Sequence, residues 1–158
     1  MSRIVPCLWF DKQAEEAASF YVSLFPDSGV DSLTRYGPAG PGPEGSVLVV
    51  AFHLRGEAFM ALNGGPHYTF TPAVSFMVTC ETQNEVDGLW ERLGAGSGDP
   101  GQCGWIKDRF GLSWQIVPSA FLRMMKDPDT AKVGRVTGAM MGMSKLVIAD
   151  LERAFEGK

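Results

Sequence analysis

Few side chains in this chain have chemistry to offer. There are two histidines and three cysteines among 158 residues. His53 ends the apolar run Val47-Leu48-Val49-Val50-Ala51-Phe52 and alternates with Phe52 and Leu54, which face the other way in a strand. It reads as a strand-end histidine bonded to a neighbour, or as a polar anchor on a cavity wall that orients a ligand or moves a proton near neutral pH. His67 falls in a connection and reads as solvent-facing. Cys7, Cys80 and Cys103 form no CxxC pair and sit in or beside strand-like runs, which predicts buried, reduced thiols in a reducing compartment. No pair of carboxylates has acid–base spacing, and Glu57 and Asp108, next to turns, read as solvated. The tract from Gly94 to Gly101 has the composition of a phosphate-cradling loop. Such loops lead from a strand into a helix, whereas this one follows a helix and leads into Gly104-Trp105-Ile106-Lys107, so a phosphate role is excluded.

The elements that must position these groups come as a duplication. About seventy residues apart, a strand-like run leads through a capping residue into an amphipathic helix. The first copy is Ile4 to Phe10, then Asp11, then Ala14, Ala17, Ala18, Tyr21 and Phe25 on one helical face. The second is Val74 to Val78, then Thr82, then Val86, Leu89, Trp90 and Leu93. Asp11 is the expected N-cap of the first helix, and Thr82 with Glu85 forms a capping box on the second. Strands are expected over 30–36, 46–54 and 57–62, with a tight hairpin at Arg55-Gly56. The Gly/Pro-rich stretch from Gly37 to Gly45 predicts a mobile flap that gates a pocket. After Pro118 the pattern turns helical. Asp127-Pro128 is read as a helix start, and Val133, Val136, Met140 and Met143 form its apolar stripe. Gly134, Gly138 and Gly142 make a second stripe, expected to pack on the body or on another subunit. Asp150 is read as the cap of a last short helix.

Composition narrows the function classes. The net charge is −4, and the 14 Lys and Arg residues are scattered, so no electrostatic footprint for nucleic acid exists. No apolar run approaches a membrane-spanning length. The start, Met1-Ser2-Arg3-Ile4, has no signal-peptide pattern, which together with the reduced thiols predicts a cytoplasmic protein. Size and duplication together predict one α+β structural domain of two βαβββ modules, 1–66 and 67–118, with a helical extension over 119–158.

Three strings are specific enough to carry a family resemblance: Pro6-Cys7-Leu8-Trp9-Phe10-Asp11, Ala61-Leu62-Asn63-Gly64-Gly65-Pro66, and Cys103-Gly104-Trp105 through Pro118. With the repeated βαβββ pattern, the chain resembles the PhnB-like (demethylubiquinone methyltransferase-like) branch of the vicinal-oxygen-chelate superfamily. That superfamily includes glyoxalase, bleomycin-resistance and extradiol-dioxygenase proteins. The resemblance implies that each module curls its strands into half of a cup, that the halves enclose a cavity, and that the protein is a homodimer. It also implies four metal-ligand positions on inward-facing strands, which fall here on Ile4, Met60, Ala73 and Gln115. Only Gln115 has a donor oxygen, and an amide is a poor ligand for a borderline transition metal. Neither a bound metal nor another cofactor is therefore expected. A doubly wound methyltransferase would need a glycine-rich strand-to-helix turn and alternating parallel units, and neither is present.

Alternation then fills in the cavity wall. With Ala73 facing in, Ser75, Met77 and Thr79 follow; with Gln115 come Ser113 and Val117. Ile4, Leu8, His53, Met60 and Trp105 complete the candidate ligand-binding set, while Trp9 and Trp114 are assigned to the core. The expectation is a protein that binds a small, partly apolar or aromatic organic molecule without a metal and with no catalytic residue assigned. The alternative is an enzyme with an unconventional metal site near His53 and Gln115, or one acting by metal-free proton transfer. In that case His53→Gln would abolish turnover and spare folding, and an unaffected rate would count against it.

Overall fold

The computed structural model describes residues 4–96 and 98–158. The expectations at Met1-Ser2-Arg3, and at Ser97 in the glycine tract, lie outside the described residues. The architecture is α+β, and the chain divides into two compact units, Met1–Phe70 and Thr71–Lys158.

The first unit runs β1 (Cys7–Phe10), α1 (Ala14–Leu24), β2 (Gly29–Arg35), β3 (Val47–Leu54) and β4 (Glu57–Asn63). Its sheet has the order β1-β4-β3-β2, with β1 parallel to β4 and the other pairs antiparallel. One face is apolar and buried: Leu8 and Phe10 of β1, Val50, Phe52 and Leu54 of β3, and Ala61 of β4. On α1, Ala14, Ala17, Ala18, Tyr21 and Leu24 are buried at helical spacing. The small alanines bring the helix axis close to the sheet, and Tyr21, fully buried, supplies the bulk. Pro26 follows the extended C-cap Phe25 and prevents the helix from continuing. The β3–β4 hairpin turns through Arg55 and Gly56, both at positive φ, as a two-residue turn between right-twisted strands requires.

The start of α1 differs from the sequence expectation. Asp11 is not its cap; Gln13 holds that position without a side-chain bond. The backbone N–H of Ala14 instead donates to Asn63 Oδ1 at 2.8 Å, from the end of β4. Asn63 Nδ2 donates to the Val47 carbonyl, and the Tyr36 hydroxyl donates to the Asn63 carbonyl. Asn63, through its side-chain amide and its backbone carbonyl, thus ties a helix start, a strand start and the end of β2 together, whereas Asp11 Oδ1 is buried without a hydrogen-bond partner.

The second unit runs β5 (Ser75–Cys80), α2 (Gln83–Gly94), β6 (Asp99–Pro100), β7 (Trp105–Lys107) and β8 (Ser113–Pro118), then α3 (Ser119–Met124), α4 (Thr130–Met141) and α5 (Ile148–Glu156). Its sheet repeats the first, in the order β5-β8-β7-β6 with β5 parallel to β8. Val86, Leu89 and Leu93 of α2 are buried, as are Val78, Ile106, Trp114 and Ile116 of the sheet. Thr82 Oγ1 accepts from Glu85 N–H, as expected, and Glu85 reaches back to the N–H of Glu81, one residue before the cap.

Four expectations for the second unit need correction. Asp108 is not solvated: it is 2% exposed and accepts from Phe110 N–H, Leu112 N–H and Trp114 Nε1–H. The start of α4 is capped by Asp129, not by Asp127-Pro128, and Asp150 lies within α5, whose first N–H donates to Gln83 Oε1 of α2. A side chain at Gly134 or Gly138 of the glycine stripe would enter open space, so the stripe does not pack on the body, and packing on another subunit is the expectation that remains. The apolar stripe does pack as expected: Val136, Leu146 and Leu151 form a small core with Met140 and Met143 against it.

Candidate functional site

In each sheet, the face turned away from its helix carries most of the candidate ligand-binding residues. On the first sheet, strand register aligns this face in rows: Trp9, Leu62, Val49 and Thr34; then Cys7, Met60, Ala51 and Ser32; then Ala58, His53 and Gly29. On the second it aligns Thr79 with Val117, Met77 with Gln115 and Trp105, and Ser75 with Ser113 and Lys107. Both faces are apolar with a few polar groups. Met60 is 37% exposed and Met77 55%, large apolar side chains left uncovered within their own units.

Ser75, Met77, Trp105, Ser113 and Gln115 all lie on one face of the second sheet, where Gln115 Nε2 donates to Ser75 Oγ at 2.8 Å. His53 and Met60 share the corresponding face of the first sheet. Leu8 does not: at 6% exposure it sits beside Ala61 on the helix-packed face, and Trp9 takes the open face in its place. The parity follows from Leu8 and Phe10 packing on α1. The sequence reading instead numbered the strand from Ile4, which precedes β1 and is fully exposed. Ala73 likewise precedes β5, in an exposed turn. The same parity corrects Cys7, which is exposed on the open face beside Met60, while Cys80 is buried as expected. Trp9 lies edge-on to Tyr68 and donates its indole N–H to the Gly65 carbonyl. The hydrophobic partners of α1 were the signal that could have placed Cys7 and Trp9 correctly.

Of the positions expected to hold metal, Met60 in the first unit offers a thioether, and Gln115 in the second offers an amide oxygen, its amide nitrogen being engaged with Ser75. Neither suits a borderline divalent cation, which takes imidazole, carboxylate or thiolate.

A separate cavity of about 740 Å³ opens at another end of the first unit, lined by Asp11, Arg35, Tyr36, Pro41, Asn63 and His67 among others. None of the candidate ligand-binding residues lines it. The Gly/Pro-rich stretch forms one wall, as a strap wound on Tyr36 rather than a free flap. Gly45 N–H donates to the Tyr36 carbonyl, and Tyr36 N–H to that of Ser46. A Cβ at Gly40 or Gly42 would stand 2.7 or 2.5 Å from the Tyr36 ring, so only glycine allows so close a wrap.

The 3-demethylubiquinone-9 3-methyltransferase family model matches residues 2–117. The chain belongs to this family. Its relatives of known structure include the PhnB protein of Bacillus cereus, 39% identical over 75% of this chain and 100% of that one, with a TM-score of 0.67. Protein PA1353 of Pseudomonas aeruginosa shares the fold at 21% identity, over 75% of this chain and 98% of that one, with a TM-score of 0.61. The fosfomycin resistance protein FosX of Listeria monocytogenes is a more distant likeness, 12% identical over 75% of this chain and 93% of that one, with a TM-score of 0.47. Among curated proteins, none matches. The paired βαβββ topology of the two sheets agrees with the fold expected from the sequence. In this PhnB-like chain, no described helix is long and apolar enough to cross a membrane.

Proposed function

We propose that this PhnB-like chain is a cytoplasmic, homodimeric binding protein that holds a small, partly apolar or aromatic organic molecule on the open face of a sheet, without a metal. The observation that carries the reading is the pair of uncovered faces. Large apolar groups, Met60, Met77, Trp9 and Trp105, alternate there with a few polar ones, His53, Ser75 and Gln115, the composition expected of a small-molecule wall. That Met60 offers only a thioether and Gln115 only an amide oxygen supports the metal-free part.

Methyl transfer has little physical support despite the family's description. Both sheets are four-stranded and mixed, and the strand-to-helix turns, Asp11-Lys12-Gln13 and Glu81-Thr82, contain no glycine. Elemental analysis of the protein purified without chelators tests the central claim. Less than a tenth of an equivalent of any transition metal is expected, on the order of adventitious binding. One tightly held ion per chain, lost on replacing Gln115 by Leu, would overturn it.

A further inference from the structure

His53 is held in a way that specifies what it can bind. Its Nδ1 lies 2.8 Å from Asp31 Oδ1. An ionised carboxylate only accepts, so Nδ1 carries the proton, and in the neutral ring Nε2 is left with its lone pair free. The backbone fixes the ring from beneath. His53 pairs with Gly29 in the β2–β3 register, and a Cβ at that glycine would stand 3.0 Å from Cε1 and 3.5 Å from Nε2. A side chain at position 29 would therefore press on the imidazole and make it give by a few tenths of an ångström. The His53 side chain keeps 32% of its exposure, and its row adjoins the row of Ala51, Met60 and Cys7 on the same face.

A hydrogen-bond acceptor of fixed tautomer at the margin of an apolar surface selects a neutral donor attached to an apolar body. We propose that His53 Nε2 accepts a hydrogen bond from a weakly acidic hydroxyl, a phenol or an enol, of the molecule bound on this face, with Asp31 as the positioning residue that sets the tautomer. This rests on the reading of the open face as a small-molecule wall. A ligand carboxylate, an acceptor, would oppose the Nε2 lone pair.

Two measurements on the full chain test this. The first is calorimetric binding of 2-naphthol and of its methyl ether, 2-methoxynaphthalene, which share the apolar body and differ in the hydroxyl donor. 2-Naphthol should bind roughly tenfold tighter, the worth of one hydrogen bond in a partly desolvated site, and the preference should vanish in His53→Phe. Equal affinity in the unaltered protein, or a preference that survives His53→Phe, would overturn the assignment while leaving the binding face intact. Binding of neither compound would overturn both. The second is long-range proton–nitrogen NMR of the imidazoles, with His53 assigned by comparison with His53→Phe. The unaltered protein should show the Nδ1–H tautomer at His53, and Asp31→Ala should shift it towards Nε2–H. An Nε2–H tautomer in the unaltered protein would refute the role of Asp31 whatever the probes do.

Discussion

Replacing Asp108 by Asn tests whether the turn before β8 is organised by one buried carboxylate. Oδ1 accepts from Phe110 N–H at 2.8 Å and from Leu112 N–H at 3.1 Å, and Oδ2 from Trp114 Nε1–H at 2.9 Å. Asparagine keeps one acceptor oxygen. Placed at the Oδ1 position, it serves both backbone donors, but its NH₂ then faces the indole N–H, donor against donor. Turned over, it serves the indole and strands two backbone donors. The first arrangement is cheaper, and with Asp108 and Trp114 each 2% exposed no water can compensate. A buried donor left unpaired costs about 1–3 kcal/mol, and the charge assistance of the carboxylate is lost as well, so Asp108→Asn should cost about 2–3 kcal/mol. Asp108→Ala strands all three donors and should cost about 3–5 kcal/mol. Urea unfolding followed by far-ultraviolet circular dichroism reads this as a lower midpoint at unchanged slope. A double-mutant cycle isolates the cause: in a Trp114→Phe background the opposing indole donor is gone, so Asp108→Asn should cost at least about 1 kcal/mol less than it does alone. Strict additivity, or a loss below about 0.5 kcal/mol for Asp108→Asn, would refute the reasoning.

Gly134 and Gly138 lie inside α4 and face open space, so each Gly→Ala replacement should stabilise the protein by about 0.4–1 kcal/mol through helix propensity and the unfolded-chain entropy; a loss of stability would show that a partner covers this stripe. The Lys145 ammonium, with Gln83 also donating, holds the Asp87 carboxyl below its ordinary value of 3.8. Because the folded value is depressed, the stabilisation is present above the unfolded pKa and is lost as pH falls through the lower folded value; the effect is small, since both side chains are well exposed. Carbon NMR titration of Asp87 should show the depression in the unaltered protein and its relief in Lys145→Met, and an ordinary value in both would refute the pairing.

The parts of this fold legible in the sequence were those set by local pattern, and the parts that were not depended on contacts between distant segments. The Thr82 cap, the Arg55-Gly56 hairpin and the buried stripes of α1 and α2 are all written within a few consecutive residues. Asn63 and Gln83 cap α1 and α5 from 49 and 65 residues away, and no local pattern marks them, so the nearer carboxylates Asp11 and Asp150 drew the assignment instead. Asp108 looked solvated for a similar reason. It sits in a turn, and only the fold shows that Trp114 returns over it.

The open faces divide along the same line. On β5 and β8, alternation counted from Ala73 and from Gln115 placed Ser75, Met77 and Ser113 on one face, and the two strands do run parallel and in register from end to end. On β1, the count began three residues before the strand, and a one-residue error in parity exchanges the faces, sending Leu8 into the core and bringing Cys7 and Trp9 out. What sequence could not supply for His53 was the pair of neighbours that gives it a direction. Asp31 and Gly29 come from β2, more than twenty residues earlier, and they meet the imidazole only through the β2–β3 register, which slips between Val30 and Ser32. That irregularity falls at Asp31 itself, where the pairing departs from a regular count along the strands.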